Sequence, residues 1–138
     1  MTLGPAMEDY EFIIPDNVVV MKSVKHSMLF PHANLVITHG GHGTIIRALS
    51  YGLPIICLPM GRDQDDNAIK VVIKGCGIKL SLKSSPRSIQ KAVELILREN
   101  KFKINAKKMQ VEINKPSSIK EVIAEISGLI NKKKTESS

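Results

Sequence analysis

The sequence predicts an α/β domain built on a parallel sheet, with helices on both faces and a helical C-terminal part. Three observations predict it. Short, fully apolar runs alternate with longer segments of helical periodicity, as buried parallel strands alternate with the helices that cover them. A glycine-rich turn stands directly between one such run and the helix after it. The last third carries helix starts and apolar stripes but no further strand.

The elements follow in order. "NVVVMK" (17–22) is a β-branched run and reads as a strand. "SMLFPHA" is a short helical or turn segment broken at Pro31. "NLVITH" (34–39) is a second buried strand, and "GGHG" is the turn after it. "TIIRALSYG" (44–52) is a helix closed by Gly52, with Pro54 two residues on. "PIICLP" (54–59) is the third strand. "DDNAIKVVIKG" (65–75) is a helix that opens on acids and ends on lysines, as the helix dipole favours. "CGIKLSL" (76–82) is the fourth strand. In "SPRSIQKAVELILREN", Ser85 is placed to cap a helix and Pro86 suits its first position, with Ile89, Val93 and Ile96 on one face. "FKINAKKMQVEIN" continues the helical part. "PSSIKEVIAEISGLINKKK" sets Ile119, Val122, Ile123, Ile126, Leu129 and Ile130 on one stripe. One domain over 1–131 and a basic, disordered tail over 132–138 are expected.

Composition narrows the class. With 43% apolar residues the chain has enough to bury a core, and no run approaches the ~18 apolar residues of a membrane span. The start, "TLGPAMEDYEF", has no basic region followed by an apolar one, so no signal peptide is expected. Cys57 and Cys76 lie in apolar runs without metal-type spacing and read as buried reduced thiols, which points to the cytoplasm. Residues 1–68 hold 4 basic and 7 acidic side chains, and residues 69–138 hold 16 and 6. That asymmetry fits either the solvated faces of late helices or an anionic partner. With 2 Tyr, 3 Phe and no Trp, stacking platforms are scarce and no nucleic acid is expected.

"THGGHGT" (38–44) sits at the carboxyl end of a strand and opens a helix, where an open parallel sheet binds its ligands. Free N–H groups at a helix start favour phosphate, and glycine lets backbone come close to it. It is neither a G-K-[ST] loop nor G-x-G-x-x-G spacing. "PMGRDQDDNA" follows the next strand on the same edge. Asp63 and Gln64 there can hold vicinal hydroxyls, or Asp63 or Asp65 can cap the helix.

Taken together, "VITHGGHGTIIRALSYGLPIICLPMGRDQDDNA" (36–68) resembles the nucleotide-sugar signature of family 1 glycosyltransferases, the UDP-glycosyltransferases and their bacterial antibiotic and macrolide relatives. "LGPAMEDYEFIIPDNVVVMKSVKHSMLFPHA" (3–33) is similar to the stretch that precedes it. The resemblance implies half of a GT-B fold, a Rossmann-like donor-binding domain. It implies a nucleoside-diphosphate sugar, UDP- or dTDP-hexose, as co-substrate, with no cofactor and no metal. It implies that His39, Gly41, Gly43 and Thr44 meet the diphosphate, that Asp63 and Gln64 meet the sugar, and that His26 faces the nucleobase. His42 reads as solvent-facing or packed on the helix.

Three departures stand out. Arg47 occupies a position where many members carry a glutamate for the ribose, and Arg cannot accept a hydrogen bond. Ser23 and Lys25 replace an aromatic residue and a proline before His26. The acceptor domain, and the first strand and helix of the donor domain, have no counterpart here, so no catalytic base is assigned. Three functions stay open: the donor half of a transferase completed by a separate acceptor-domain chain, an inactive gene fragment, or a non-catalytic nucleotide- or anion-binding module. A homodimer or partner is expected to cover the sheet edge left unpaired.

Overall fold

The computed structural model describes residues 15–21 and 23–115. The chain divides into two units, Met1–Ala33 and Asn34–Ser138. The predicted stripe from Ile119 to Ile130 and the tail over 132–138 lie outside the described residues.

In the first unit the expected strand over 17–22 does not form among the described residues. Asp16 and Asn17 are spent in a turn, with the Val18 N–H donating to the Pro15 carbonyl at 3.0 Å. Among the described residues of this run only Met21 makes a β-bridge. Then come α1 (His26–Leu29) and a 3-10 helix (Phe30–His32). Pro31 sits early in the latter, where its missing N–H leaves no helical bond unmade.

The second unit begins with β1 (Val36–Thr38), α2 (His42–Ser50), β2 (Ile55–Cys57), α3 (Arg62–Ile73) and β3 (Gly77–Lys79). It continues into α4 (Pro86–Arg98) and α5 (Asn100–Ile113). The three strands form a parallel sheet in the order β1-β2-β3, with Val36 opposite Ile55 and Ile55 opposite Gly77. Each ladder is shorter than its apolar run. The flanks still hold, because Leu58 N–H donates to the Thr38 carbonyl and Leu80 N–H to the Cys57 carbonyl, both at 2.8 Å. α2 and α3 start two and three residues earlier than their apolar periodicity suggested. A first helical turn that faces solvent needs no apolar residue, and His42, Arg62 and Asp63 fill it here.

Alternation along the strands explains the two covered faces. Ile56 points to one side and packs with Ala92 and Ile96 of α4 and Phe102 of α5, joined by Leu35, Ile78 and Leu80. Ile55, Cys57 and Gly77 point to the other side, toward α3. There a Cβ on Gly77 would lie 3.0 Å from Val71 Cγ1 and would collide outright with the Ile55 carbonyl oxygen. Only glycine lets β3 come this close to β2 beneath α3. α4 starts as its sequence indicates, with Ser85 Oγ accepting from Ser88 N–H at 3.2 Å and Pro86 in the first turn.

α2 and α3 end alike. Gly52 (φ +69°) and Gly75 (φ +70°) adopt the left-handed conformation that glycine accepts at no cost. Leu53 and Cys76 N–H reach back to the Ala48 and Val71 carbonyls, each at 3.1 Å. α5 then runs past both ends. Asn105 Nδ2 donates to the Gly75 carbonyl at 3.2 Å, and Asn114 Nδ2 donates to the Ser50 carbonyl at 3.0 Å. Its lysines also come near the negative poles of these helices, Lys107 flanking Gly52. α5 is therefore a strut across the amino ends of the strands.

Cys57 and Cys76 are buried free thiols. Burial pushes the Cys57 thiol from 9.0 up to about 11 and raises Cys76 as well, Lys74 opposing the latter.

Three outcomes follow. Gly77→Ala is expected to cost about 3 kcal/mol or more, the upper range for forced overpacking, read as a lower urea midpoint. Asn105→Ala, which strips the strut from Gly75, should cost about 1 kcal/mol in the same measurement. A thiol held protonated by the fold stabilises fully while the unfolded thiol is also protonated. Stability should thus hold below pH 9.0 and decline toward about pH 11 as the unfolded Cys57 ionises. That decline should shrink in Cys57→Ala.

Candidate functional site

The carboxyl ends of β1 and β2 place two loops side by side: His39–Gly41 after β1 and Leu58–Gly61 after β2. Glycine sets the first loop's path. Gly40 is buried at φ +96°, a conformation other residues rarely adopt. The chain then turns into α2, with Gly41 as its N-cap and no side chain capping it. The first helical bond runs from Ile45 N–H to the Gly41 carbonyl at 3.1 Å. The N–H groups of His42, Gly43 and Thr44 therefore have no acceptor in the helix. A Cβ on Gly41 or Gly43 would meet nothing within 4 Å, and neither has positive φ. The fold itself requires glycine at 40 but not at 41 or 43.

His39 is exposed, and its Nδ1 lies 3.2 Å from the Leu58 carbonyl. A carbonyl only accepts, so Nδ1 carries the hydrogen and Nε2 is left for a ligand. The ring is thus held to the backbone through Nδ1, at the end of β1.

The second loop leads into α3, whose N-cap is Gly61. Neither Asp63 nor Asp65 caps the helix; both lie in its first turn. Asp65 pairs with Lys79 at the end of β3. Asp63 is exposed and in no ion pair among the described residues. Gln64 holds the loop in shape, its Oε1 accepting from Met60 N–H at 2.9 Å, so its amide nitrogen is the end left over. Among the described residues no group of three or more His, Cys, Asp or Glu comes together.

The loops are linked by more than the ladder. Asn67 Nδ2 donates to the Gly40 carbonyl at 3.1 Å, and a Cβ on Gly40 would lie 3.0 Å from the Gln64 carbonyl oxygen. Sequence reasoning gave Asn67 no role. The available signal was its spacing: three and four residues after Gln64 and Asp63 on one helix, it shares their face.

His39, Gly41, Gly43, Thr44, Asp63 and Gln64 thus gather on two adjacent loop–helix junctions. His42 is exposed at the start of α2 and lines a groove between α2 and α3 with Ile46, Asn67 and Lys70. Arg47 falls in the last turn of α2, where a cation offsets the negative pole. His26 belongs to the first unit, where it stacks on Phe30 with centroids 4.6 Å apart. A larger groove, of about 560 Å³, lies along β3 between Ile69, Val72 and Phe102 and includes none of these residues.

The chain is similar to known proteins in sequence and fold. The family model described as "Erythromycin biosynthesis protein CIII-like, C-terminal domain" matches residues 5–129. The 4'-demethylrebeccamycin synthase of Lentzea aerocolonigenes is 29% identical over 118 residues, which are 85% of this chain and 28% of that protein. Spinosyn Forosaminyltransferase SpnP superposes with a TM-score of 0.80 at 25% identity, covering 94% of this chain and 33% of its own. Spinosyn Rhamnosyltransferase SpnG, solved complexed with thymidine diphosphate, superposes at 0.76 with 26% identity, covering 89% and 35%. The chain spans only 28% to 35% of the length of these relatives. A parallel sheet with this glycine turn, matched from residue 5 to residue 129, makes the chain a member of the erythromycin biosynthesis protein CIII-like C-terminal domains of family 1 glycosyltransferases.

Proposed function

We propose that this chain binds the nucleoside diphosphate of a UDP- or dTDP-hexose at the start of α2, as the donor-binding half of a glycosyltransferase. One observation carries the reading. The N–H groups at the start of α2 have no acceptor within the helix, and Gly41 and Gly43 leave open space beside them in which an anion can approach. An anion at a helix start is the guest such N–H groups accept. The thymidine diphosphate held by SpnG, a relative of the same fold, supports the nucleotide class.

In this reading the diphosphate lies against the N–H groups of residues 42–44, with Thr44 Oγ1 beside them. His39 reaches the diphosphate through Nε2, which can donate only when the ring carries a second proton. Asp63, exposed and in no ion pair among the described residues, and the amide nitrogen of Gln64 take sugar hydroxyls. The donor sugar is the co-substrate, and the site uses no metal or cofactor. Transfer displaces the nucleoside diphosphate from the sugar C1, and the helix start stabilises the charge growing on that leaving group. The acceptor and the catalytic base come from an acceptor domain, carried on a partner chain or on a further part of a longer protein, working in the cytoplasm.

The test is a thermal-shift titration with UDP, dTDP and their glucose conjugates. A ligand that binds only the native state raises the midpoint in proportion to occupancy. Wild type should show a dose-dependent rise, and His39→Ala should lose most of it. Gly43→Ala separates binding from folding. It should leave the unliganded midpoint unchanged or higher, since alanine is the better helix former by up to ~1 kcal/mol, while abolishing the nucleotide-induced rise. No rise in wild type at millimolar nucleotide would refute the donor-site reading.

A further inference from the structure

We infer that Asn67 is a positioning residue that aims the diphosphate turn and couples it to the helix carrying the sugar-binding side chains. The inference rests on the donor-site reading above and goes beyond it. None of the roles assigned there involves Asn67.

The geometry turns on one peptide unit, Gly40–Gly41. A trans peptide is planar, and its C=O and N–H point in opposite directions. No cis peptide occurs among the described residues. Asn67 Nδ2 holds the Gly40 carbonyl oxygen at 3.1 Å, which draws that oxygen toward α3. The Gly41 N–H is thereby sent the other way, off α3. It leads the row of N–H groups that continues through His42, Gly43 and Thr44.

Little else fixes that plane. Gly40 has the widest backbone freedom of any residue type and sits at φ +96°. Its own N–H has only a 3.4 Å contact with Thr38 Oγ1. Packing from the Gln64 backbone limits Gly40 on one side but does not orient its carbonyl. The Asn67 amide is the one directional bond to the carbonyl among the described residues.

The same bond links two helices. Asn67 lies on the second turn of α3, one turn beyond Asp63 and Gln64. A diphosphate that shifts the glycine turn therefore pulls on α3 through Asn67, and a sugar that shifts the first turn of α3 pulls on the turn. Coupling of this kind is reciprocal.

Two variants test it. Asn67→Ala removes the donor, and alanine suits the helix. Asn67→Asp keeps the shape but offers an ionised acceptor to a carbonyl. Backbone amide spectra of residues 40–44 without ligand report the peptide plane, and titration with UDP and dTDP reports affinity. In both variants the Gly41 amide resonance should move and its hydrogen exchange quicken. Affinity should fall about threefold to tenfold, the effect of one organising hydrogen bond, with Asn67→Asp at the weaker end.

A Gly41 amide that stays at its wild-type position in a folded variant overturns the inference. So does a weaker affinity with unmoved amides, because Asn67 would then touch the nucleotide itself. A moved amide with unchanged affinity also overturns it, because the turn's aim would not matter to the ligand. Should both variants fail to fold, the wild-type side-chain amide signals of Asn67 decide: they must shift when nucleotide is added. If wild type binds no nucleotide, the donor-site reading has failed, and the unliganded amide spectra alone judge whether Asn67 aims the turn.

Discussion

The parallel pairing of Val36–Thr38 with Ile55–Cys57 is the constraint on which the candidate site depends. Parallel strands put their carboxyl ends on the same edge. The glycine turn and the Asp63–Gln64 helix start are therefore neighbours although more than twenty residues separate them. The pairing runs past the ladder through Leu58 N–H and the Thr38 carbonyl at 2.8 Å. That bond fixes the Leu58 carbonyl against which His39 is held. If the register slipped by one residue, Ile56 would leave the α4 side, and the loops above it would lose their alignment.

Glycine is required for two different reasons in this unit, and at other positions the fold does not require it. Gly77 is required by crowding, since the neighbouring strand's backbone occupies the space of its side chain. Gly40, Gly52 and Gly75 are required by positive φ. Gly41 and Gly43 are required by neither.

Much of this architecture could be read from the residues, and what could not has physical causes. Ser85 and Pro86 announce α4 because capping is local chemistry, and Gly52 marks the end of α2 for the same reason. The three strands of the second unit stand where their apolar runs put them, but only β2 is buried along its length; Ile37 of β1 and Lys79 of β3 are exposed, against the expectation of fully buried strands. The run over 17–22 is β-branched as well, but its start at Asn17 is taken up in a turn, which is a local feature that apolar composition does not announce. At the site, His39 and the loop–helix junctions were legible from their order along the chain. The bonds from His39 to Leu58 and from Asn67 to Gly40 were not. They join residues 19 and 27 positions apart, and only the folded sheet brings those together.

The reach of α5 has a consequence for how the domain is made. Its last contact, from Asn114 to Ser50, closes a loop of 64 residues. On a ribosome the chain emerges from its N-terminal end, so the sheet and the candidate-site loops are all outside before α5 is. Until then the terminal carbonyls of α2 and α3 face water, and Gly52 and Gly75 lack the side chains that later pack on them. The strands can pair early, but the floor beneath them is laid last. A halt in synthesis once β3 but not α5 has left the ribosome would therefore hold the nascent domain with the candidate-site rim outside and its opposite end open.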